Sequence, residues 1–375
     1  MISMLYLDNS ATTKILPEVK DAMLPYLMEE FGNPSSKYYS IAENAKSAVK
    51  EARHSLASLL GCKDSELIFT SGSTESNNMI IKGVADYYRE HGNHIITTKV
   101  EHPSVLETCR YLETKGFEVT YLNVDSFGRI DVGELKSAIK DTTILISIIW
   151  GNNELGSLND MGMISTLCEE QNIFLHSDAT QVIGKVEINL SDYPGITFLS
   201  CSSHKFHGPK GIGATFIKQD QYEILTQITP LLHGGGQEQG IRSGTLAVHN
   251  IVGMGKAAEL ANKHIKSNSQ KLTSLENRLV QILQEKFGDH LHFNNDSKNK
   301  IPGVISVQFK GINNELLVKK LAPLIAASTG SACSSSKPSH VLAAIGLSID
   351  EVRSTIRFSM SSLVEIEDLE IFKRL

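Results

Sequence analysis

Lys205 ends the run Ser202-Ser203-His204-Lys205, just past the apolar stretch 195–199. Asp178 opens the block Asp178-Ala179-Thr180-Gln181 upstream of it. A lysine amine can hold an aldehyde as a Schiff base, and a carboxylate facing a pyridine nitrogen keeps that nitrogen protonated. Those are the two groups that pyridoxal phosphate requires of a protein. A site of that kind also needs a phosphate cradle, a group to stack on the ring and an anchor for the substrate.

The sequence offers candidates for each, and each has a plainer reading beside it. Ser71-Gly72-Ser73-Thr74 joins a strand to a helix and presents hydroxyls and free N–H groups at a positive helix end, which suits a phosphate. With Glu75 behind it, the same run reads as a helix cap. His102, before Pro103 at a helix start, could stack on a ring and carry a proton, or lie in solvent. Asp178 and Gln181 could hold a ring nitrogen and a ring oxygen, or form a capping pair. Lys205 stands before the turn 206–213, where an exposed hairpin lysine is the ordinary alternative. The glycine-dense run 233–245, with Arg242 and Thr245, suits an anion loop, a subunit contact or a flexible linker. Cys62, Cys109, Cys168 and Cys201 border or fall within apolar patterns and read as buried. Cys333, in Ser-Thr-Gly-Ser-Ala-Cys-Ser-Ser-Ser, has nothing apolar to bury it and reads as a nucleophile on a swinging loop.

The elements that must position these residues alternate. Strands are expected at 66–70, 94–98, 117–122, 143–150 and 173–177, with helices at 74–91, 105–115 and 161–171. That rhythm implies a mostly parallel sheet flanked by helices, with ligands beyond the carboxyl ends of its strands. Ser73, His102, Asn153 and Asp178 all fall at such ends. A long amphipathic helix at 255–287, a strand at 304–309 and a helix at 314–321 predict a second, smaller α+β unit. Residues 15–254 are expected to form the large cofactor-binding domain, with 1–14 and 255–375 the small domain that carries the cysteine loop. The stretch 328–339 reads as a mobile loop.

Length and composition fit that picture. A chain of 375 residues, 41% hydrophobic and 21% charged, builds more than one core. A net charge of -6 argues against a direct nucleic-acid surface. No apolar run is long enough to span a bilayer, and Met1 to Asp8 enters a folded segment without a basic-then-apolar leader. Five cysteines, an odd number without metal-ligand spacing, suggest a reducing, cytoplasmic setting and no metal.

Assembled in order, these motifs resemble the NifS/IscS-type cysteine desulfurases, within the fold-type I (aminotransferase class V) pyridoxal-phosphate enzymes. The match carries Tyr6-Leu-Asp-Asn-Ser-Ala-Thr-Thr13, Phe31-Gly-Asn-Pro-Ser-Ser36, Thr70-Ser-Gly-Ser-Thr-Glu-Ser-Asn-Asn78, Glu101-His102, Asn152-Asn-Glu-Leu-Gly156, Ser202-Ser-His-Lys205, Arg242-Ser-Gly-Thr245, Gly330-Ser-Ala-Cys333 and Ser354-Thr-Ile-Arg-Phe-Ser359. The resemblance implies Lys205 as the Schiff-base lysine, Asp178 at the ring nitrogen, Gln181 at the ring oxygen and His102 on the ring face. Ser73, Thr74, Ser202 and His204 would hold the phosphate, with Thr245 reaching in from the partner subunit of a homodimer. Asn33, Asn153 and Arg357 would hold the carboxylate of L-cysteine, Arg357 as a fork, and Asn153 would also touch the cofactor. Cys333 would take the sulfur as a persulfide, leaving L-alanine, and pass it to an acceptor protein.

The resemblance also has departures. The segment from Cys333 to Pro338 is shorter than in housekeeping members, and less chain follows Arg357. This puts docking to an iron–sulfur scaffold in doubt and leaves room for tRNA thiolation or DNA phosphorothioation. A selenocysteine lyase or another class V enzyme is the runner-up, and a catalytically silent cofactor-binding subunit is the alternative from outside enzymes.

Overall fold

The computed structural model describes residues 4–330 and 338–374. Its centre is a seven-stranded sheet in the order β2-β8-β7-β6-β5-β3-β4. The strands are β2 (Leu67–Thr70), β3 (His94–Thr98), β4 (Glu118–Leu122), β5 (Thr143–Ser147), β6 (Phe174–Asp178), β7 (Ile196–Ser202) and β8 (Gly213–Ile217), with β1 (Leu5–Tyr6) outside it. Strands β4, β3, β5, β6 and β7 pair in parallel. Only β8 runs the other way, antiparallel to both β7 and β2. Two reversals restore direction, so β2 ends at the same edge as β7. The mostly parallel α/β sheet expected from the sequence is present. Its inner strands are buried along their length, as strands covered by helices on both faces must be.

Individual elements shift by a few residues. The strand expected at 143–150 closes at Ser147, although Ile148 N and Trp150 N still donate to the His176 and Asp178 carbonyls at 3.0 Å each. The helix expected from 255 begins at Val248 and runs unbroken to Phe287. Gly253 and Gly255 resemble breakers, but here they permit contact. A Cβ on Gly255 would stand 2.4 Å from Ala52 Cα, and one on Gly253 would stand 2.6 Å from Met23 Sδ. The partner of that close approach, the helix Ser40–Leu60, turns Ala45, Ala48 and Ala52 inward. Its end is set by Gly61 at φ 67°. Cys109, Cys168 and Cys201 are buried, whereas Cys62, carried past Gly61, is half-buried rather than buried as expected.

The long helix serves two cores. Ile251, Met254, Ala258 and Ile265 pack with the central sheet. Leu272, Leu275, Leu279 and Leu283 pack with a three-stranded sheet, β12-β10-β9, made of β9 (Leu291–Phe293), β10 (Val304–Phe309) and β12 (Thr355–Ser359). Leu5 and Leu7 belong to this second core, because β1 pairs in parallel with β11 (Ile325–Ala326). The N-terminal segment then crosses to the end of β7, where Thr13 N and Oγ1 both donate to the His204 carbonyl at 2.9 Å. Of the serine-rich stretch, residues 331–337, and Cys333 with them, lie outside the described residues.

Candidate active site

Beyond the carboxyl ends of β2, β3, β5, β6 and β7, the two cores enclose a cavity of about 220 Å³. Ser73, Thr74, His102, Asn153, Asp178, Gln181, His204, Lys205 and Arg357 all line it. Nine residues expected from sequence thus meet in one place. A larger groove, of about 550 Å³, runs between the N-terminal strand and the C-terminal turn but gathers no such set.

Lys205 closes a short 3-10 turn, Ser203–Lys205, directly after β7. Its Nζ donates to the carbonyls of Ser10 and Ala11 at 2.6 and 2.7 Å. Asp178 ends β6 and is buried. Its Oδ2 accepts from Asn77 Nδ2 at 2.8 Å and its Oδ1 accepts from Thr180 N at 3.0 Å. Asp178 is therefore no helix cap, because the residues after it form turns. Gln181 Nε2 donates to the Ser10 carbonyl at 2.9 Å, so it completes no capping box.

His102 caps the helix Pro103–Glu113 through Nδ1, which accepts from Ser104 N at 3.1 Å and lies 2.8 Å from Ser104 Oγ. Asn77 Nδ2 donates to that same hydroxyl at 2.8 Å. A single amide thus ties His102 to Asp178. Burial pushes the His102 imidazole below its usual range, against the pull of Asp178. Burial also lifts the neighbouring Glu101 carboxyl to about 8, and Glu101 Oε1 accepts from Ile149 N and Thr98 Oγ1.

One end of the cavity is built from a helix start. Gly72 caps the helix Ser73–Tyr87 with no side chain bonded to the first turn, so its leading N–H groups face the cavity beside the Ser73 and Thr74 hydroxyls. Glu75 reaches back to that end: its Oε2 accepts from Ser71 N at 2.8 Å, and Arg242 Nε donates to its Oε1 at 2.7 Å. His204 Nδ1 lies 3.1 Å from Thr12 Oγ1, and burial with Lys205 and Lys210 nearby pushes it down to about 4. Ser202 stands just behind, its Oγ 3.6 Å from where a Cβ on Gly72 would sit.

Arg357 comes from the second sheet, on β12, and is 1% exposed. Its Nη2 donates to Asp8 Oδ1 at 2.7 Å, and its Nη1 donates to the carbonyls of Asn153 and Gly330 at 3.0 Å each. Glu154 lies beside it, raised by burial, with Oε2 accepting from Ser339 Oγ at 2.6 Å. A Cβ on Gly330 would stand 2.8 Å from the same oxygen. The chain on either side of residues 331–337 thus converges on Glu154.

Besides Ser202, two expected residues do not line this cavity in the single chain. Asn33 is exposed and its Oδ1 accepts from Ser35 N at 3.0 Å. Thr245 is exposed at the end of the glycine-dense run. That run is no flexible linker, since Glu238 accepts from both Arg53 Nη atoms and from Phe69 N, and Arg242 grips Glu75. Sequence reasoning missed Asn77, Ser104, Ser10 and Glu154. Asn77 carried a signal: it is an amide on the buried helix face that continues through Met79, Ile80 and Val84.

Buried polar atoms without partners mark what the cavity can receive. Among the described residues these include Ser10 Oγ, Thr180 Oγ1 and Arg357 Nε, all on residues that line it. An amine, a buried carboxylate, an open helix start and a guanidinium at the far wall fit a pyridine aldehyde phosphate together with an amino acid carboxylate.

Residues 5–372 match the aminotransferase class-V family. The chain is 44% identical to the cysteine desulfurase IscS of Dictyoglomus turgidum over 367 residues, which is 97% of this chain and 91% of that protein. A solved NifS-like protein superposes with a TM-score of 0.91 at 35% identity, covering 99% of this chain and 97% of the other. SspA in complex with cysteine superposes with a TM-score of 0.84 at 37% identity, covering 96% and 99%.

Proposed function

The chain belongs to the aminotransferase class-V family, and we propose that it is a pyridoxal-phosphate-dependent cysteine desulfurase. It converts L-cysteine to L-alanine and hands the sulfur, as a persulfide on Cys333, to an acceptor protein. The observation that carries this reading is the meeting of Lys205, Asp178, His102 and Arg357 around one cavity. Bound there, pyridoxal phosphate supplies an electron sink that makes the α-proton of the amino acid acidic. The desulfurase names of the relatives and the cysteine held by a structural neighbour favour this substrate over selenocysteine.

The chain's own groups divide the work. Lys205 Nζ would hold the aldehyde and then move the α-proton. Asp178, kept in place by Asn77 and Thr180, would keep the ring nitrogen protonated. Ser73, Thr74, Ser202 and His204 would hold the phosphate against the helix start, and Gln181 would donate to the ring oxygen. Arg357 and Asn153 receive the substrate carboxylate. His102, its imidazole pushed down by burial, would stack on the ring and carry protons. The Cys333 thiolate attacks the substrate sulfur. The carbon–sulfur bond breaks, a sulfur–sulfur bond forms, and the carbon skeleton keeps the electron pair and takes up protons to become alanine.

Thr245 and Asn33 are exposed in one chain, which suits completion of the site by a second copy. The protein works as a homodimer in the cytoplasm, and among the described residues no helix is long and apolar enough to cross a membrane. The acceptor serves iron–sulfur cluster assembly or another thiolation route.

Anaerobic incubation with pyridoxal phosphate and L-cysteine tests the reading. Alanine should form together with a persulfide mapped to Cys333 by mass spectrometry, and Cys333→Ala should lose turnover. A cofactor-loaded protein that makes no alanine, even with reductant, overturns it.

A further inference from the structure

Gln181 reaches the cavity from the turn after β6, and its amide is engaged at both ends. Nε2 donates to the Ser10 carbonyl at 2.9 Å, and Oε1 accepts from Lys185 Nζ at 3.1 Å. The same Ser10 carbonyl accepts from Lys205 Nζ at 2.6 Å. Two lysines are thus joined through one amide and one carbonyl.

Lys185 is an unusual residue to find there. It is half-buried, and Glu187, two residues on, pairs with Lys266 instead. Burial, with cationic Lys205 and Arg357 in reach, pushes its ammonium down to about 7, and it in turn lowers His204 and His207. The turn that carries it is fixed. Lys185 N donates to the Val182 carbonyl at 3.0 Å. Gly184, at φ 75°, packs so closely that a Cβ would stand 2.7 Å from Phe206 Cβ, on the residue next to Lys205.

The two ends of a glutamine amide have nearly the same shape and opposite hydrogen-bonding roles. Lys185 Nζ donates in the observed contact, and as an ammonium it can do nothing else, so the end it touches is the oxygen. The donor end is then turned the other way, toward Ser10 and the cavity. We propose that Lys185 is a positioning residue that locks the Gln181 amide with Nε2 presented to the ring oxygen of the cofactor. This rests on the pyridoxal phosphate reading above. Without Lys185 only the Ser10 carbonyl opposes a turn that would set the amide's own oxygen against an anionic ring oxygen.

The test is a pH titration of the absorbance of the cofactor-loaded protein, read together with cofactor retention on dilution. A donor at the ring oxygen favours the more anionic form, so losing it moves the titration midpoint upward. Lys185→Met should raise the midpoint by about one pH unit and weaken retention about tenfold, the equivalent of about 1.4 kcal/mol. Lys185→Arg, which still only donates, should stay at the wild-type midpoint. In a Gln181→Ala background Lys185→Met should add little further shift, because the two act as one unit. An equal shift in both backgrounds would show a bare charge effect and overturn the proposal, as would no shift in either. A wild-type protein that takes up no pyridoxal phosphate refutes the cofactor reading itself, a result distinct from either.

Discussion

Asp8 Oδ1 lies 2.7 Å from Arg357 Nη2, joining residues 349 positions apart in the chain. Two carbonyls take Nη1 and Nε is left without a partner, so the guanidinium is aimed and its charge balanced while one donor still faces the cavity. Asp8→Asn should therefore raise the KM for cysteine about tenfold with a smaller change in kcat. It should also cost about 1–3 kcal/mol of stability in urea, because Arg357 loses its counter-ion. A fall in KM would mean that Asp8 competes with the substrate carboxylate, and the aiming role would be wrong.

Asn77 spends one NH2 group on both Asp178 and Ser104. Asn77→Ala leaves a buried carboxylate short of a donor and cuts the path to His102. Stability should drop by about 1–3 kcal/mol, and turnover should fall at least tenfold, with Asn77→Asp worse than Asn77→Ala because two carboxylates would then face each other. Parallel denaturation and steady-state assays check both; an Asn77→Ala enzyme with unchanged turnover would remove this amide from the mechanism.

Acid should unfold the protein partly through two histidines. His176, fully buried between the hydroxyls of Ser147 and Ser200, is pushed down to about 4 by burial, as is His204. An unfolded histidine titrates near pH ~6.5. Between those values the unfolded chain binds the proton and the folded chain does not, so stability falls as pH drops from about 6.5 to about 4 and is unaffected by these groups above that window. His176 contributes a slope of at most about 1.4 kcal/mol per pH unit. His204, only half-buried, contributes less because solvent screens it. Urea midpoints across the window should show the slope, and His176→Asn should flatten it relative to wild type.

Burial pushes the thiols of Cys109, Cys168 and Cys201 up to about 12, and raises that of Cys62 as well. At pH 8 a thiol titrating at 12 is thiolate in about one molecule in 10⁴. Limited native alkylation followed by peptide mapping should therefore find Cys333 modified first. Early labelling of Cys109, Cys168 or Cys201 would contradict their burial.

The strand ends were legible because a buried parallel strand is a short apolar block, and the polar residue that follows it must stand at the sheet edge. Asp178 after Phe174-Leu175 and His102 after His94–Thr98 were placed that way, and both line the cavity. The helix Ser40–Leu60 was harder, since its inner face is alanine and carries little apolar contrast. The early start of the long helix was masked by Gly253 and Gly255, whose role is close contact rather than interruption. Asn77 and Asp8 were visible as residues but not as partners, because their partners lie 101 and 349 positions away. Motif matching found the groups that line the cavity better than the groups that hold them.

The helix Val248–Phe287 runs 40 residues, about 60 Å end to end. Between its last contact with one core at Ile265 and its first with the other at Leu272 there is neither glycine nor proline to serve as a joint. It acts as a strut. Swinging one half of the molecule against the other would require breaking helix hydrogen bonds in mid-span. The wall that carries Lys205 and the wall that carries Arg357 are therefore tied by one continuous helix rather than by a flexible linker.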